Sequence, residues 1–550
     1  MARGHKARLD RLMQCAVKLQ RFLGVNFGNF IADCALFGKP LRTAQFVSRF
    51  AQNIDQVLRA FGHFVEIDGE TVLERARRLF KERGCEVILI APNDDRYGER
   101  ITLDNPFPTK TNEDKLLATK ELWNKDGLTV IAFADCYYTE DAIDKIVSHK
   151  GEQFHMFRRP WASSITGHKW DETFAVSFGA SDHERILKHC NRIVELVKTK
   201  RIKKDHMRTL YASLLGHSDL HEKASPRELF TTPHQTIIDD WTDDFDSPLE
   251  WTNFIGRYYE NKTNVSICAP WRYGSGLREA ARMYVQGFYG GKIIYGTAEG
   301  ETFNRSAARN AAANKAFENP DCQVVFFVDT DTIVPLHQMW AAAYLANQTG
   351  ELVIAYTHYY RMKRDRTAEL LRSGTIPHLP GRLVIKHASG ALAIPRSLWK
   401  SIGGYDERFE SWGGEDRSFY HACCAYMNKN NSLRVWGEAY HLFHEVTPER
   451  NIARKDYQFN LDLGMRYKIA AGRYEATGVL KAIGDGIDIM PDKEAMMKIL
   501  NEEGAPLNNS NPKGKVVFPT DYRENYAHKL NRKERTISRK QNHINQVRAI

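Results

Sequence analysis

The sequence predicts an α/β protein of two successive doubly wound units, with a helical segment ahead of them and a basic extension behind. Three observations carry that expectation. Strand, loop, helix and strand follow one another from residue 86 to residue 134, and the same order restarts at Asn264. The apolar run Val324-Val325-Phe326-Phe327-Val328 reads as a buried strand. That run ends abruptly in Asp329-Thr330-Asp331, two acids placed where a strand leaves the core.

Residues 1–82 read as helical, because apolar positions recur at intervals of three and four (Leu9, Leu12, Met13, Ala16, Val17, Leu19, Leu23). An amphipathic helix over 71–83 is closed by Gly84. A strand over 86–91 follows, then a turn-rich stretch from Pro92 to Gly98, a helix over 115–124 and a strand over 128–134. This order predicts a parallel sheet in a first unit, residues 83–245. The acidic, turn-prone run DDWTDDFD at 239–246 reads as the linker. The second unit, 263–475, is expected to hold strands at 265–269, 292–295 and 324–328, with helices from Gly276 and over 304–317. Residues 476–550 form a carboxyl-terminal extension whose basic tail runs from Lys529 to Arg548.

Composition narrows the class. A chain of 550 residues exceeds one ordinary domain and suggests about three. Hydrophobic residues make up 42% of it, enough to build cores, so wholesale disorder is excluded. The nine cysteines are scattered, with no Cys-x-x-Cys pair, which argues against a zinc knuckle or a disulfide framework and for a reducing compartment. No apolar stretch is long enough for a membrane span, so a cytoplasmic protein is expected. The net charge of +10 is partly local, in KTKRIKK at 198–204 and in the tail. Such runs are expected first as solvated faces, with contact to a polyanion as the alternative. Oligomeric state is not readable.

The chemistry centres on Asp329 and Asp331. Side chains alternate along an extended backbone, so the two carboxylates are expected on one face. Converging charges at a strand end are costly unless a cation meets them. Mn²⁺ or Mg²⁺ suits them, since hard ions share oxygen ligands with a diphosphate. Three further segments belong with this pair. Ile267-Cys268-Ala269-Pro270-Trp271-Arg272 is a strand ending in Pro, an aromatic ring for stacking and Arg for a phosphate. Phe303-Asn304-Arg305 opens a helix, whose amino terminus favours anions. Gly403-Gly404-Tyr405-Asp406-Glu407 is followed by Trp412-Gly413-Gly414-Glu415-Asp416 and a helix.

In that order, over about residues 263–450, these segments resemble the β-1,4-galactosyltransferase family and its relatives among GT-A glycosyltransferases, the nucleotide-diphospho-sugar transferases. The resemblance implies a metal-dependent transferase moving a sugar from a nucleotide-sugar, UDP-linked by its uridine-like pocket, to an acceptor hydroxyl. Pro270 and Arg272 match the family's uridine-binding strand end, and Phe303, Asn304 and Arg305 its donor-diphosphate segment. Asp329 looks like the residue touching donor sugar or ribose and lies beside the metal, and Asp331 looks like a Mn²⁺ ligand. Trp412, Gly413 and Gly414 resemble the flexible loop bordering the acceptor. Glu415 and Asp416 resemble the acceptor-binding acids, with Asp416 as general base. Retaining relatives commonly carry Asn at that second position, so Asp there favours inversion. A further metal ligand is expected from His441-Leu442-Phe443-His444-Glu445, either His444 or His441.

The amino-terminal unit carries a fainter resemblance, to sugar-nucleotidyltransferases. A strand ends at Ala134-Asp135 where that family has Gly-Asp, which makes Asp135 a metal-binding candidate, and Lys115 stands where the family often has Lys. The family's glycine-rich loop is replaced by Pro92-Asn93-Asp94-Asp95-Arg96. Two rival functions therefore accompany the leading one: a bifunctional nucleotidyltransferase–glycosyltransferase, and a non-catalytic glycan- or nucleic-acid-binding protein on the same fold. The acceptor is open among a glycan, a protein side chain and a modified nucleic-acid base.

Overall fold

The computed structural model describes residues 65–471, apart from 92–94, 103–115, 203–206, 218–219, 221–233, 274–275, 301–302, 379, 386–388, 428, 430 and 446–454. The helical reading of residues 1–64, Lys115, the basic tail and the extension over 476–550 lie outside the described residues.

Within the span expected to be helical, 1–82, a short antiparallel hairpin stands instead at β1 (Glu66–Ile67) and β2 (Glu70–Thr71), and only then does α1 (Val72–Glu82) begin. The Thr71 hydroxyl caps the Glu74 amide, and the Glu74 side chain reaches back to Thr71, a reciprocal capping box that fixes the start of this helix. The run over 86–91, read as a strand from its β-branched residues, makes only an isolated bridge between Ile90 and Ile101. It finds no sheet neighbour among the described residues, so its backbone pairs with one short segment instead. Of the helix expected over 115–124, residues 116–118 are α-helical and a 3₁₀ segment at Lys120–Leu122 follows.

Next come β3 (Leu128–Ala132), β4 (Cys136–Tyr137), α2 (Glu140–Ser148), β5 (His155–Arg159), β6 (Glu172–Gly179), α3 (His183–Lys198), α4 (Met207–Leu214), β7 (Gln235–Ile237) and β8 (Asp243–Asp244). The sheet order is β3-β6-β5-β7, and β6 is antiparallel to both β3 and β5. This corrects the expected parallel sheet. The unit β3-α2-β5 does place its strands in one direction, but β6 inserts between them and pairs antiparallel with both, so only β5 and β7 pair parallel. Apolar faces of α1 and α2 (Leu79, Phe80, Ile143, Ile146) pack with Phe157 and Phe174, while α3 and α4 (Ile186, Ile193, Leu210) pack with Met156 and Phe178.

The acidic run taken for a linker is instead built into the fold. β8 pairs with β4, and Asp243 is fully buried against Arg159, with Nη2 to Oδ1 at 2.6 Å. Acidic side chains mark a linker only when they are solvated, and a buried guanidinium reverses that reading. Immediately after it, α5 (Pro248–Tyr258) buries Phe254 and Ile255 in the main core.

The second half contains β9 (Val265–Pro270), α6 (Leu277–Phe288), β10 (Ile293–Gly296), α7 (Arg305–Glu318), β11 (Val324–Val328), β12 (Thr332–Ile333), α8 (Leu336–Thr349), β13 (Val353–Ile354), β14 (His358–Met362), α9 (Arg364–Ser373), β15 (Gly381–Ile385), β16 (Ala391–Pro395), α10 (Arg396–Ile402), α11 (Glu415–Tyr426), β17 (Leu433–Arg434), β18 (Glu438–His441) and α12 (Lys455–Ala471). Its main sheet runs β10-β9-β11-β16-β13-β17, parallel across the first three strands and antiparallel at β16. Every residue of β11 is buried, as its unbroken apolar run requires. A second sheet, β12-β18-β14-β15, lies beyond the end of β11. The architecture is mixed α/β, and among the described residues no helix is long and apolar enough to cross a membrane.

One close approach sets the position of α7. A Cβ on Gly296 would stand 1.7 Å from the Ala308 carbonyl oxygen, so β10 meets the helix backbone directly. The helix presents alanines there (Ala308, Ala312, Ala313, Ala316), all buried, and small side chains permit that spacing.

Candidate active site

Four elements converge past the carboxyl end of β11: the turn after it, the first turns of α7, the amino terminus of α11 and the strand end of β18. Asp329 and Asp331 do not share one face. β11 stops at Val328, and the Thr332 amide donates to the Asp329 carbonyl across a tight turn, so period-two alternation no longer holds. The two carboxylates diverge into two clusters.

The first cluster is Asp329, Glu415 and Asp416 around two arginines of α7. Arg309 is 2% exposed, and its Nη2 donates to Asp329 Oδ1 at 2.7 Å while its Nη1 donates to Asp416 Oδ1 at 2.5 Å. Its guanidinium also lies over the Tyr405 ring, 5.0 Å from the centroid. Arg305 Nη1 donates to Glu415 Oε1 at 2.7 Å. A buried guanidinium fork bridging two acids fixes both carboxylates in place. Burial pushes the Asp416 carboxyl up to about 6, with Glu415 and Asp329 adding to the effect against the pull of Arg309. Its side chain keeps 21% exposure, whereas Glu415 keeps 5%. Of the two acids at the start of α11, Asp416 is the more exposed, and Glu415 is buried against Arg305.

The second cluster is Asp331, His441 and His444, whose nearest ligand atoms all lie within 4.8 Å of one another. β12 pairs with β18 in a register that sets Thr332 opposite His441, and the Leu442 amide donates to the Asp331 carbonyl at 2.7 Å. His444 Nε2 is 3.1 Å from Asp331 Oδ2, and His441 Nε2 is 3.6 Å from Oδ1. Burial acts to raise the Asp331 carboxyl, but the two histidines outweigh it and hold it below the usual carboxylate range. The hydrogen bond to Asp331 raises His444, while burial lowers His441. His444 Nδ1 sits 2.8 Å from the Glu445 carbonyl. Arg278 Nη2 lies 3.1 Å from the same Nδ1, so that side of the ring is held from without and Nε2 is the nitrogen turned to Asp331. The donor set of one carboxylate and two imidazoles fits Mn²⁺ or another borderline divalent ion. Both histidine candidates are brought to the cluster. Asp329, expected beside the metal, is not part of it, because Arg309 takes its carboxylate.

The remaining sequence candidates border these clusters. Pro270 ends β9 and is buried, and Arg272 and Tyr273 just beyond it are exposed. Asn304 caps α7, its side chain accepting from the Ala307 amide and donating to the Glu407 carbonyl at 2.6 Å; Phe303 precedes it, half-buried. Trp412 stacks on Tyr457 of α12 at 5.5 Å. Gly413 and Gly414 both have φ near +100°, and a Cβ on Gly414 would be 2.9 Å from the Asn460 carbonyl oxygen, so the turn into α11 requires glycine. Asn460 Nδ2 donates to the Glu410 carbonyl at 2.6 Å, which ties this loop to α12. Asp135 lies in the amino-terminal half, in the turn before β4, away from both clusters in the topology.

Sequence reasoning missed Arg309. Its signal was present: Arg309 follows Arg305 by four residues, so both project from one face of the same helix.

Residues 380–445 match the family model for the N-terminal domain of galactosyltransferase, a stretch that includes Trp412 to Asp416, His441 and His444. No curated protein matches the chain. Among solved structures, the catalytic domain of Drosophila beta1,4galactosyltransferase 7 in complex with xylobiose is 12% identical, with 36% of this chain and 79% of that chain covered and a TM-score of 0.27. GalNAc-T7 with UDP, GalNAc and Mn²⁺ is also 12% identical, with 46% of this chain and 60% of that chain covered and a TM-score of 0.23. Likenesses that slight do not bear on the fold. The amino-terminal resemblance to sugar-nucleotidyltransferases finds no support in any of these comparisons.

Proposed function

We propose that the chain is a metal-dependent, inverting glycosyltransferase of GT-A type, acting through residues 263–475 on a UDP-sugar and an acceptor hydroxyl. The observation that carries this reading is the pairing of two clusters at one strand end: a carboxylate raised toward neutral pH on Arg309, beside an Asp–His–His set fit for a divalent ion. The galactosyltransferase match over 380–445, which contains both the Asp416 helix start and the two histidines, supports it from the sequence side.

The residues divide the work. Asp331, His441 and His444 hold Mn²⁺ or Mg²⁺. When bound, the ion supplies neutralisation of charge on the departing nucleoside diphosphate. Arg305 at the start of α7 adds positive charge where the helix amino terminus already favours a phosphate. Pro270, Trp271 and Arg272 line the base side, and Phe303 and Asn304 border the diphosphate. Asp329, fixed by Arg309, faces the donor. Asp416 takes the proton from the attacking acceptor hydroxyl, and a carboxyl raised to about 6 is better matched to that task than an ordinary aspartate. The Trp412 loop, pinned to α12, forms the acceptor wall.

A panel of UDP- and GDP-sugars with Mn²⁺, scored for donor hydrolysis and for transfer, tests the donor class. Asp416→Asn keeps size and hydrogen bonding but removes the base, so transfer is expected to fall by roughly 10²–10⁴ while Mn²⁺-dependent UDP binding persists. Undiminished transfer by that variant would remove Asp416 from the chemistry.

A further inference from the structure

A second cluster of ligating side chains lies in the amino-terminal half, where it meets α5. His168, in the loop between β5 and β6, places Nε2 2.7 Å from Glu172 Oε1 and Nδ1 2.8 Å from Glu250 Oε1. Glu172 starts β6 and Glu250 lies in the first turn of α5. Asp244 of β8 completes the set: ligand atoms of His168, Glu172 and Asp244 all lie within 4.8 Å of one another.

Asp244 is the informative member. Its neighbour Asp243 points the other way along the strand and is satisfied by Arg159, Ser163 and Thr166. Asp244 is 7% exposed, and its Oδ1 is shut from solvent with no hydrogen-bond partner among the described residues. Glu250 Oε2 is likewise buried and without a hydrogen-bond partner. A buried carboxylate oxygen left bare costs on the order of 1–3 kcal/mol or more, so such atoms are ordinarily met by a donor, a water or an ion. Both side chains with orphaned oxygens thus stand beside the same imidazole, and further acids, Asp246 and Asp135, lie near Asp244.

We infer that His168, Glu172 and Asp244 form a second divalent-metal site, selective for Mn²⁺ or Zn²⁺, with Glu250 as the carboxylate that orients His168. The chemistry balances simply. A cation takes the place of the proton on His168 Nε2 and of the proton that burial and the neighbouring acids favour on Asp244; both are released to solvent, and the ion gains one nitrogen and two carboxylate ligands. The Nδ1–H remains on Glu250, giving the carboxylate–histidine–metal arrangement in which the outer acid fixes the ring. Mixed nitrogen and oxygen donors favour Mn²⁺ or Zn²⁺ over Ca²⁺ or Mg²⁺. The ion would bind a loop, β6, β8 and, through Glu250, α5. It is therefore a staple across the seam where the amino-terminal sheet meets the helix packed into the main core.

The inference does not depend on the transferase reading, and its test keeps the two apart. Full-length protein stripped with a chelator is titrated with MnCl₂ and separately with ZnCl₂, and bound metal is counted after desalting. Wild type is expected to hold about two ions per chain and Asp331→Ala/His444→Ala about one. Asp244→Asn is also expected to hold about one, and the combined variant none. Glu250→Gln should weaken the second site by about ten- to a hundredfold without abolishing it. Thermal melting guards against misfolding. In chelator Asp244→Asn should melt no lower than wild type, because burial already disfavours the ionised Asp244 carboxyl, whereas added metal should raise wild type further than the variant. Glu172→Gln repeats the test if Asp244→Asn does not fold. The inference is overturned if Asp244→Asn and Glu172→Gln keep wild-type stoichiometry, or if Asp331→Ala/His444→Ala binds no metal.

Discussion

Arg309 decides how the candidate active site works. Without it, three carboxylates would stand at one strand end with nothing to separate a donor-facing acid from a base. Its fork holds Asp329 with one nitrogen and Asp416 with the other, while burial of its guanidinium leaves little freedom to either. Replacing it with Lys keeps a charge but not a planar fork, so one carboxylate is released. For Arg309→Lys we expect kcat to fall about tenfold or more, and the acid limb of the pH–rate profile to move upward as Asp416 loses its partner. In the wild type that limb has a defined sign. Asp416 must be ionised to accept a proton and its carboxyl is raised to about 6, so kcat/KM should rise with pH and level off above that value. A profile already flat at pH 5 would contradict the assignment of the base. Asp331 was singled out by its place at a strand end and the histidines by the family resemblance, and the fold brings the three together. The divergence of Asp329 from Asp331 was not, since a turn begins at the first residue beyond the strand.

At the scale of elements, the site rests on how α7 meets β10 and how α11 begins. Gly296 lets the helix backbone touch the strand, and a methyl group there would collide with a carbonyl oxygen rather than a movable side chain. Gly296→Ala is therefore expected to shift α7, destabilise the fold by about 1–3 kcal/mol and lower activity through misplaced Arg305 and Arg309; a chemical melt beside a rate assay checks it. Elements in the second half were readable because their periods are clean: β11 is uniformly apolar, and α7 opens with a capping Asn. The strand expected over 86–91 had suitable residues but, among the described residues, only a single bridge to Ile101, since β propensity does not supply a partner strand. The parallel sheet expected in the first half failed for a related reason. β3-α2-β5 has the right local order, but β6, arriving later in the chain, sits between β3 and β5 and makes both of its pairings antiparallel, while β5 and β7 stay parallel.

At the scale of the molecule, the two halves share a core. Val65, Ile67 and Tyr137 from the first half pack in the same apolar cluster as Phe254, Ile255 and β11. Asp68 of the first hairpin accepts hydrogen bonds from the hydroxyls of Tyr258 and Tyr259 at 2.9 and 2.8 Å, and Tyr259 stacks on Tyr344 of α8 at 3.5 Å. α5 thus belongs to the second half structurally, although the expected boundary at 263 leaves it out. Phe254 and Ile255 alone represent roughly 3–6 kcal/mol of burial, a large share of the 5–15 kcal/mol that stabilises an ordinary domain. A chain shortened to 247–475 is expected to keep more structure than one shortened to 263–475, and comparing their unfolding midpoints tests this. Equal midpoints would show that α5 contributes little.

By itself the sequence determined the composition of the chemistry: an Asp-x-Asp strand end, an Arg-led helix, an acidic helix start behind paired glycines, and two histidines downstream. Each is a local pattern of residue types and spacing, and such patterns survive without knowledge of the fold. The tertiary structure decided which of these groups meet. It separated Asp329 from Asp331, joined Asp329 to Asp416 through Arg309, and buried an acidic run that looked like a linker. Charges in a low-dielectric interior take their meaning from the partner a few ångströms away, and that partner is set by packing between residues far apart in the chain.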